Sequence, residues 1–291
     1  MPLIERAAKV LTLSERREED EAPRAPQMSE PARVRDRDQV AQGLRTTRRT
    51  SRLAEVDVAR LKKAGLLTPG AARSRTKEEF RVIKRSVLRH AFQPNGDGAK
   101  ASNLVMVSSA KPGEGKTFTA INLAISIALE RDYTVLLIDA DFTKPAILKT
   151  LGIEATKGLV DVLEDPGIDL ADVLIRTSID KLTVLPAGHS HSLGTELLAS
   201  QRMKDIVHEI ARRYRDRLVI FDSPPILSTS EPCALAMHVG QIVFVVEAEK
   251  TPRSAVQEAL DLIGPGPRIG LVLNRCQPQL GHAQFGSYYK R

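Results

Sequence analysis

Ala110-Lys-Pro-Gly-Glu-Gly-Lys-Thr117 is the most informative segment of this 291-residue chain. It lies between an apolar run that predicts a strand and a run with helical spacing, and it matches G-x-x-x-x-G-K-[ST] except that Ala110 occupies the first glycine position. Gly113 and Gly115 let backbone amides approach an anion without a β-carbon clash, and a helix starting near Lys116 points its positive dipole end at the same anion. The segment therefore predicts a loop that binds phosphate groups.

We expect this loop to hold the triphosphate of ATP. Lys116 would reach the β- and γ-phosphates, and the Thr117 hydroxyl would bind Mg²⁺. A glycine-rich turn without a ligand is the alternative, which the intact Gly-Lys-Thr in its strand-to-helix context disfavours. The predicted nucleotide-binding residues are Ala110, Lys111, Pro112, Gly113, Glu114, Gly115, Lys116, Thr117, Asn274 and Arg275. The last two end the final predicted strand, where an amide could read the adenine edge, although a simple strand-end turn explains them equally well.

Acidic residues end two apolar strands of the predicted sheet. Val135-Leu-Leu-Ile-Asp-Ala-Asp141 closes one strand with two acids, and Leu218-Val-Ile-Phe-Asp222 closes another with a single acid. Neighbouring anions repel each other unless a cation lies between them, so Asp139, Asp141 and Asp222 predict a metal-assisted site at the edge where open α/β sheets bind ligands. The predicted metal-binding residues are Thr117, Asp139 and Asp222. The predicted catalytic residues are Lys116, Asp139 and Asp141, with Asp139 activating the attacking oxygen.

The order of apolar and amphipathic segments predicts the fold class. An amphipathic helix opens at Thr76, where Thr-Lys-Glu-Glu resembles a capping box. Strand-like and helical segments then alternate, which predicts an α/β fold of the P-loop NTPase type, with a mostly parallel sheet and helices on both faces. The predicted strands are 104–107, 134–138, 182–185, 218–221, 242–246 and 269–273, and the later helices are 119–129, 203–213 and 254–263.

Residues 1–75 predict a basic, largely disordered N-terminal region ahead of a catalytic domain at residues 76–291. They hold 17 Lys and Arg against 11 Asp and Glu, so +6 of the net charge of +7 lies there. Because the core is close to neutral, we expect no direct nucleic-acid partner. Residues 14–51 have few large apolar side chains and predict disorder. Islands of helical spacing at 3–11 and 53–61 predict either helices packed on the core or docking segments.

Cysteine usage and hydropathy predict the compartment. Cys233 and Cys276 are far apart and outside any CxxC spacing, which argues against a disulfide framework and against a thiolate zinc site. No run reaches the roughly 18 apolar residues that a membrane-spanning helix needs. The chain is therefore predicted to be a cytoplasmic protein.

The motifs together resemble those of the bacterial protein-tyrosine kinases that control exopolysaccharide synthesis, relatives of the MinD and ParA ATPases. The resemblance covers about residues 76–291 and includes A-x-x-x-x-G-K-T, V-L-L-I-D-A-D and L-V-I-F-D-S-P-P. Asp139 and Asp141 match the two acids of that family's Walker A-prime motif, and Asp222 matches its Walker B aspartate. The resemblance implies a MinD-like P-loop fold, ATP and Mg²⁺ as cofactors, and phosphorylation of protein tyrosines.

Two features at the edges of the resembling region favour a kinase. Glu78-x-x-Arg81-x-x-Lys84 resembles the family's subunit-contact motif E-x-x-R-x-x-R, which implies that Glu78, Arg81 and Lys84 are contacts in a homo-oligomeric ring or dimer. Lysine at 84 keeps the charge of the usual arginine but loses its bidentate fork, which predicts weaker assembly. Tyr288 and Tyr289 resemble the family's C-terminal autophosphorylation cluster, implying phosphoacceptors modified in trans. Two incidental aromatic residues in a polar tail are the alternative.

Residues 3–10, 61–69 and 79–85 more narrowly resemble the tyrosine autokinases associated with exosortase-type exopolysaccharide loci. Kinases of that kind pair with a separate membrane chain-length protein whose cytoplasmic tail activates them. The resemblance therefore implies a membrane activator as partner, through which a cytoplasmic kinase would be recruited to the inner membrane.

Two other functions stay open on the sequence. Either water or a hydroxyl group could attack the γ-phosphate at such a site, and Lys111 stands where MinD-like ATPases place a lysine that reaches the nucleotide of a dimer partner. A MinD- or ParA-like dimeric ATPase switch without kinase activity is therefore the first alternative. The second is a non-enzymatic adaptor whose basic arm binds nucleic acid or anionic lipid.

Overall fold

One eight-stranded sheet organises the computed structural model of the chain, which describes residues 52–92, 102–189, 194–213 and 217–277. Its strands are β1 (Arg52–Ala54), β2 (Leu104–Ser109), β3 (Thr134–Asp139), β4 (Ile175–Thr177), β5 (Leu182–Leu185), β6 (Arg217–Asp222), β7 (Gln241–Glu247) and β8 (Arg268–Asn274). The strand order is β1-β4-β5-β3-β6-β2-β7-β8, and the pairings are parallel except that of β4 with β5. The predicted mostly parallel sheet is thus confirmed.

The central strands are buried because each carries apolar side chains on both faces of the sheet. In β2, Leu104 and Met106 belong to the core on one face of the sheet, whereas Val105 and Val107 belong to the core on the other face. Parallel strands covered on both faces are expected to be apolar throughout. A slip of one residue would exchange the two sets of side chains, so the two cores together fix the register.

Helices cover the sheet on both faces, as predicted. The core containing Val105 packs under α1 (Val58–Lys63), α2 (Arg75–Ala91), α3 (Lys116–Ala128) and α4 (Ile147–Leu151). The core containing Leu104 packs under α5 (Leu159–Glu164), α6 (Leu170–Val173), α7 (Gly194–Ala199), α8 (Gln201–Arg213), α9 (Glu231–Ala236) and α10 (Arg253–Ile263). Within the four described ranges, no helix has the length and apolar character needed to cross a membrane.

Residues 52–74 belong to the same compact unit as the rest of the sheet and its helices, whereas the sequence predicted that the organised domain begins at residue 76. Strand β1 pairs with β4, and Val56 and Leu61 are buried in the core beneath α1 and α2. The island at 53–61 therefore packs on the core, as a short strand followed by a helix rather than as one helix. The island at 3–11 and the proposed disordered arm lie outside the described residues.

The start of α2 also differs from the prediction. Ser74 is the N-cap, with an extended backbone (φ −136°) and a side chain that accepts a hydrogen bond from the Lys77 amide. The capping box predicted at Thr76 is wrong by two residues. Serine and threonine are both good N-caps, so the sequence alone did not decide between them.

Lys84 is buried within its own chain and leaves little side-chain surface for the predicted subunit contact. Its Nζ donates to the Ser126 carbonyl at 3.0 Å and lies 2.5 Å from Glu130 Oε1, and its side chain is 7% exposed. This positive charge sits at the C-terminal end of α3, where the last carbonyls lack partners within the helix. Glu78 and Arg81 remain partly exposed and pair with each other at 2.8 Å, so of the three predicted contact residues they offer the more accessible side chains.

The contrast between Lys84 and Arg81 gives a test by paired substitution. Lys84→Met should lower the free energy of unfolding by about 1–2 kcal/mol, because it leaves the Ser126 carbonyl without its buried donor. Arg81→Met should change it by less than about 0.5 kcal/mol, since it breaks only an exposed ion pair. Urea unfolding of the two variants measures the difference, and equal losses would contradict the buried role of Lys84.

Candidate active site at the carboxyl end of the sheet

The loop between β2 and α3 has the backbone shape expected of a phosphate-binding loop. Gly113 and Gly115 are left-handed, with φ of +85° and +98°, a conformation that other residues rarely adopt. Helix α3 begins at Lys116, immediately after Gly115, so the unpaired amides of its first turn face the loop. The Lys116 side chain is 8% exposed. The loop can therefore surround an anion with backbone donors and one buried ammonium group.

Asp139 and Asp222 lie beside each other at the ends of β3 and β6, where they are register partners. In β3, Val135 and Leu137 point into the core on the α3 side of the sheet. Because side chains alternate along a strand, Asp139 points to that side too, and Asp222 does so from β6. Both carboxyl groups therefore lie on the α3 side of the sheet, as the sequence predicted for acids at adjoining strand ends. Asp222 lies beside Lys116 and Thr117 at the start of α3.

Hydrogen bonds hold Asp139 in one orientation. Its Oδ2 accepts from the amides of Ala146 and Ile147, both at 3.0 Å, and its Oδ1 accepts from the Asp141 amide at 3.3 Å. These bonds shape the turn that joins β3 to α4. Asp141 accepts from the Lys144 amide at 2.8 Å and is only partly buried. Of the two acids in this motif, Asp141 is thus the more accessible and Asp139 the more firmly held.

Burial shifts the proton affinity of the charged groups at the site. Desolvation, opposed by the backbone hydrogen bonds, raises the pKa of Asp139 to about 6. Desolvation and the neighbouring charge of Asp139 raise the pKa of Asp222 to about 8. Desolvation also lowers the pKa of the Lys116 ammonium, against the influence of nearby carboxyl groups. Near neutral pH, Asp139 is therefore mostly ionised while Asp222 retains a proton in the absence of a cation.

The predicted metal ligands fit Mg²⁺ only in company with phosphate. The Thr117 hydroxyl lies near the Asp222 carboxyl group and lowers its pKa, against the larger effect of burial. Asp222 Oδ1 is buried without a hydrogen-bond partner. Among the residues that the structure describes, no group of three or more His, Cys, Asp or Glu side chains could hold a metal ion. Mg²⁺ commonly binds one or two carboxylates and completes its octahedron with water and phosphate oxygens. Thr117, Asp139 and Asp222 suit that mode rather than an all-protein cage.

Asn274 contacts the phosphate loop, a role different from the two that the sequence left open, an adenine contact and a strand-end turn. Its Nδ2 donates to the Glu114 carbonyl at 2.8 Å, and its Oδ1 accepts from the Arg275 amide at 2.9 Å. The Arg275 guanidinium in turn pairs with Glu247 at 2.9 Å. Both residues are engaged with protein groups, and an adenine contact stays a prediction.

Thr251 belongs to the same network and was missed by sequence reasoning. Its hydroxyl donates to Glu114 Oε1 and accepts from the Glu247 amide at 3.0 Å. Glu114 is 3% exposed, and its Oε2 accepts from the Lys111 amide at 2.8 Å across the loop. Thr251 precedes Pro252 at the start of α10, a pairing that reads as an ordinary helix start, so no local signal pointed to it.

The remaining predicted residues lie at the rim of the site or outside the described ranges. Lys111 and Pro112 are exposed at the rim of the loop, and Ala110 is buried at the end of β2. Tyr288 and Tyr289, the predicted phosphoacceptors, lie outside the described residues. Their role as phosphoacceptors stays a prediction.

The chain is similar to known proteins over the region that forms this site. Residues 102–264 match the family described as AAA domain. Tyrosine-protein kinase YwqD of Bacillus subtilis is 34% identical over 188 residues, which are 63% of this chain and 76% of YwqD. Putative tyrosine-protein kinase CapB of Staphylococcus aureus is 28% identical over 75% of this chain and 91% of its own. Putative tyrosine-protein kinase EpsB of Ralstonia nicotianae is 30% identical, and the chain spans 27% of its length.

Solved structures agree with these relatives. The chimerical protein CapA2B2 superposes with a TM-score of 0.63 at 26% identity, covering 78% of this chain and 95% of its own. The kinase domain of VpsO gives a TM-score of 0.56 at 30% identity, with 69% and 98% covered. The fold, the loop motif and these similarities agree: the chain belongs to the AAA-domain family and, within it, to the bacterial tyrosine-protein kinases.

Proposed function

We propose that this protein is an ATP-dependent protein-tyrosine autokinase that phosphorylates the C-terminal tyrosines of a neighbouring copy and regulates exopolysaccharide synthesis or export. The observation that carries the proposal is the meeting of a phosphate loop, a buried lysine and two strand-end acids on one side of the sheet. Kinship with tyrosine-protein kinases supports the choice of a phenol, rather than water, as the attacking group.

Phosphate binding falls to the loop and the first turn of α3. Backbone amides of residues 113–117 hold the β- and γ-phosphates, and Lys116 neutralises part of their charge. The low exposure of Lys116 strengthens that interaction, because few water molecules screen it. Burial lowers the pKa of Lys116, and the negative charge of a bound triphosphate would favour its protonated form.

Proton transfer falls to Asp139, with Asp141 beside it. The pKa of Asp139, about 6, leaves a carboxylate at neutral pH that can still accept a proton from a phenol as its oxygen attacks phosphorus. Three amides fix its orientation, which suits a group that must meet the hydroxyl in one geometry. Asp141, being more exposed, stands where an incoming peptide would approach.

Magnesium is the cation that the donor set fits. Thr117 and Asp222 would hold it directly or through water, with Asp139 on its other side, and it would neutralise charge that develops on the phosphate oxygens. The unpartnered Asp222 Oδ1 supports this assignment, because a buried polar atom without a partner is otherwise unfavourable.

The tail can reach a neighbouring molecule. Tyr288 lies 14 residues beyond Asn274, which ends β8 at the phosphate loop, and an extended chain of that length spans roughly 45–50 Å. That reach permits transfer between copies of a homo-oligomer, for which Glu78 and Arg81 are the available surface pair.

A membrane chain-length protein would supply the activating contact and recruit the kinase to the inner membrane, and we expect no direct nucleic-acid partner.

A dimeric ATPase switch is the second candidate, and the exposed Lys111 favours it. A lysine at the rim of the loop could reach the nucleotide of a partner molecule and leave water as the attacking group. Release of inorganic phosphate without formation of phosphotyrosine would be its signature.

Lys116→Met should lower the autophosphorylation rate by about 100-fold or more, because the variant loses the charge that stabilises the transferred phosphoryl group. Lys149→Met, at an exposed position on α4, is the matched control and should retain wild-type activity. Phosphotyrosine detection after incubation with MgATP measures both. Undiminished labelling of Lys116→Met would contradict the role of this lysine.

Replacement of both tail tyrosines, Tyr288→Phe with Tyr289→Phe, should reduce the label while ATP binding is preserved. Tyr133→Phe, which alters a tyrosine stacked on Phe92, is the control and should keep its label. Mixing the double variant with Lys116→Met tests transfer in trans, since only the latter carries acceptors and only the former can phosphorylate. Mass spectrometry should find phosphate on the Lys116→Met chain; full labelling of the double Phe variant would contradict the tail assignment.

The protonation of Asp222 can be tested through the pH dependence of stability in protein free of metal and nucleotide. The pKa of its carboxyl group is about 8 when folded, against an ordinary value of 3.8, so between these values the folded state binds more protons. The free energy of unfolding therefore falls as pH rises from about 4 to about 8. Asp222→Asn should flatten this profile and be more stable than wild type at pH 8, unlike the exposed control Asp261→Asn. Parallel pH profiles for Asp222→Asn and the wild-type protein would contradict the raised pKa of Asp222.

A further inference from the structure

We propose that Asn274 and Thr251 are positioning residues that hold the phosphate loop in its binding shape before a nucleotide arrives. The proposal rests on the proposed function, because a pre-shaped loop matters only if the loop binds phosphate. It assigns Asn274 a task other than reading the base, and it brings in Thr251, which lies more than a hundred residues beyond the loop.

Glu114 is the loop residue on which both act. A buried carboxylate in a loop that receives phosphate cannot be a ligand contact, since the two anions would repel each other. Its two oxygens are instead used within the protein: Oε2 accepts from the Lys111 amide at 2.8 Å, and Oε1 accepts from the Thr251 hydroxyl. Glu114 thus ties the start of the loop to the segment after β7.

Asn274 fixes the same residue from the other side, through its backbone. Its Nδ2 donates to the Glu114 carbonyl at 2.8 Å, and a β-carbon added to Gly115 would come within 2.1 Å of that nitrogen. Glycine is therefore required at 115 for two reasons, the left-handed backbone and the closeness of the amide. The Asn274 oxygen accepts from the Arg275 amide at 2.9 Å, which sets the orientation of the side chain.

The strands anchor both residues to the rigid part of the molecule. The Thr251 oxygen accepts from the Glu247 amide at the end of β7, and the Asn274 carbonyl accepts from the Ala248 amide at 2.9 Å. β7 is paired with β2, which leads into the loop. The loop is thus held by β2 at one end, by α3 at the other, and at Glu114 by these two side chains. Less conformational freedom is therefore lost when phosphate binds.

Base reading and loop positioning predict different behaviour toward a ligand that has phosphates but no base. Calorimetric titration of MgATP and of magnesium tripolyphosphate into Asn274→Ala and into the wild-type protein would measure the affinity for each ligand. If Asn274 holds the loop, both ligands should bind about fivefold more weakly, the effect of one lost hydrogen bond. If Asn274 reads adenine, ATP binding alone should weaken, and that result would overturn the proposal.

Thr251 provides a second test, because valine has nearly the shape of threonine without the hydroxyl group, whereas serine keeps the hydroxyl group. Thr251→Val removes the donor to Glu114 and should weaken both ligands in the same way, whereas Thr251→Ser keeps the hydroxyl and should bind like wild type. The turnover number at saturating ATP should change less than the KM, because the loop contact is made before the chemical step. Equal binding by the Val and Ser variants would overturn the proposal.

Gln257→Ala is the matched control for loss of an amide side chain, since Gln257 pairs with Asp261 on the exposed side of α10. It should bind both ligands like wild type. Failure of the wild-type protein to bind either ligand would instead overturn the proposed function, so the two failures are distinguishable.

Discussion

The burial of two carboxyl groups side by side, Asp139 and Asp222, is the constraint on which the rest of the site depends. The parallel register of β3 and β6 places them there, and burial raises the pKa of each. Without a cation, the pair cannot both ionise at low energetic cost. Protonation of Asp222 relieves this repulsion when no cation is bound, and a metal ion with its phosphates would allow both groups to ionise.

The two acids differ in what surrounds them, and this difference is why we propose different tasks for them. Three backbone amides donate to Asp139 and hold it in one orientation, which suits the proposed base. Asp222 has one unpartnered oxygen and a hydroxyl neighbour in Thr117, which suits the proposed cation ligand. The loop with Lys116 supplies the positive side of the same site. A parallel sheet with its helix N-terminus provides this combination because strand ends and helix start meet at one edge.

The sequence predicted those parts whose signal is local, and it missed those that depend on packing. The apolar strands, the loop at 110–117 and the strand-end acids follow from spacing and motif. Strand β1 was not predicted because its three residues are too few to show a period. Lys84 was taken for a surface charge because its burial depends on the last turn of α3, far along the chain. Thr251 was missed since its partner, Glu114, is 137 residues away.

A calorimetric titration with ATP, with and without magnesium, tests the central claim most directly. The account predicts saturable binding of about one nucleotide per chain in magnesium, and much weaker binding when the metal is chelated, because no cation then separates the ionised Asp139 from the phosphates. No saturable binding by well-folded protein in magnesium would contradict it. Equal affinity with the metal removed would contradict the part assigned to Asp139 and Asp222.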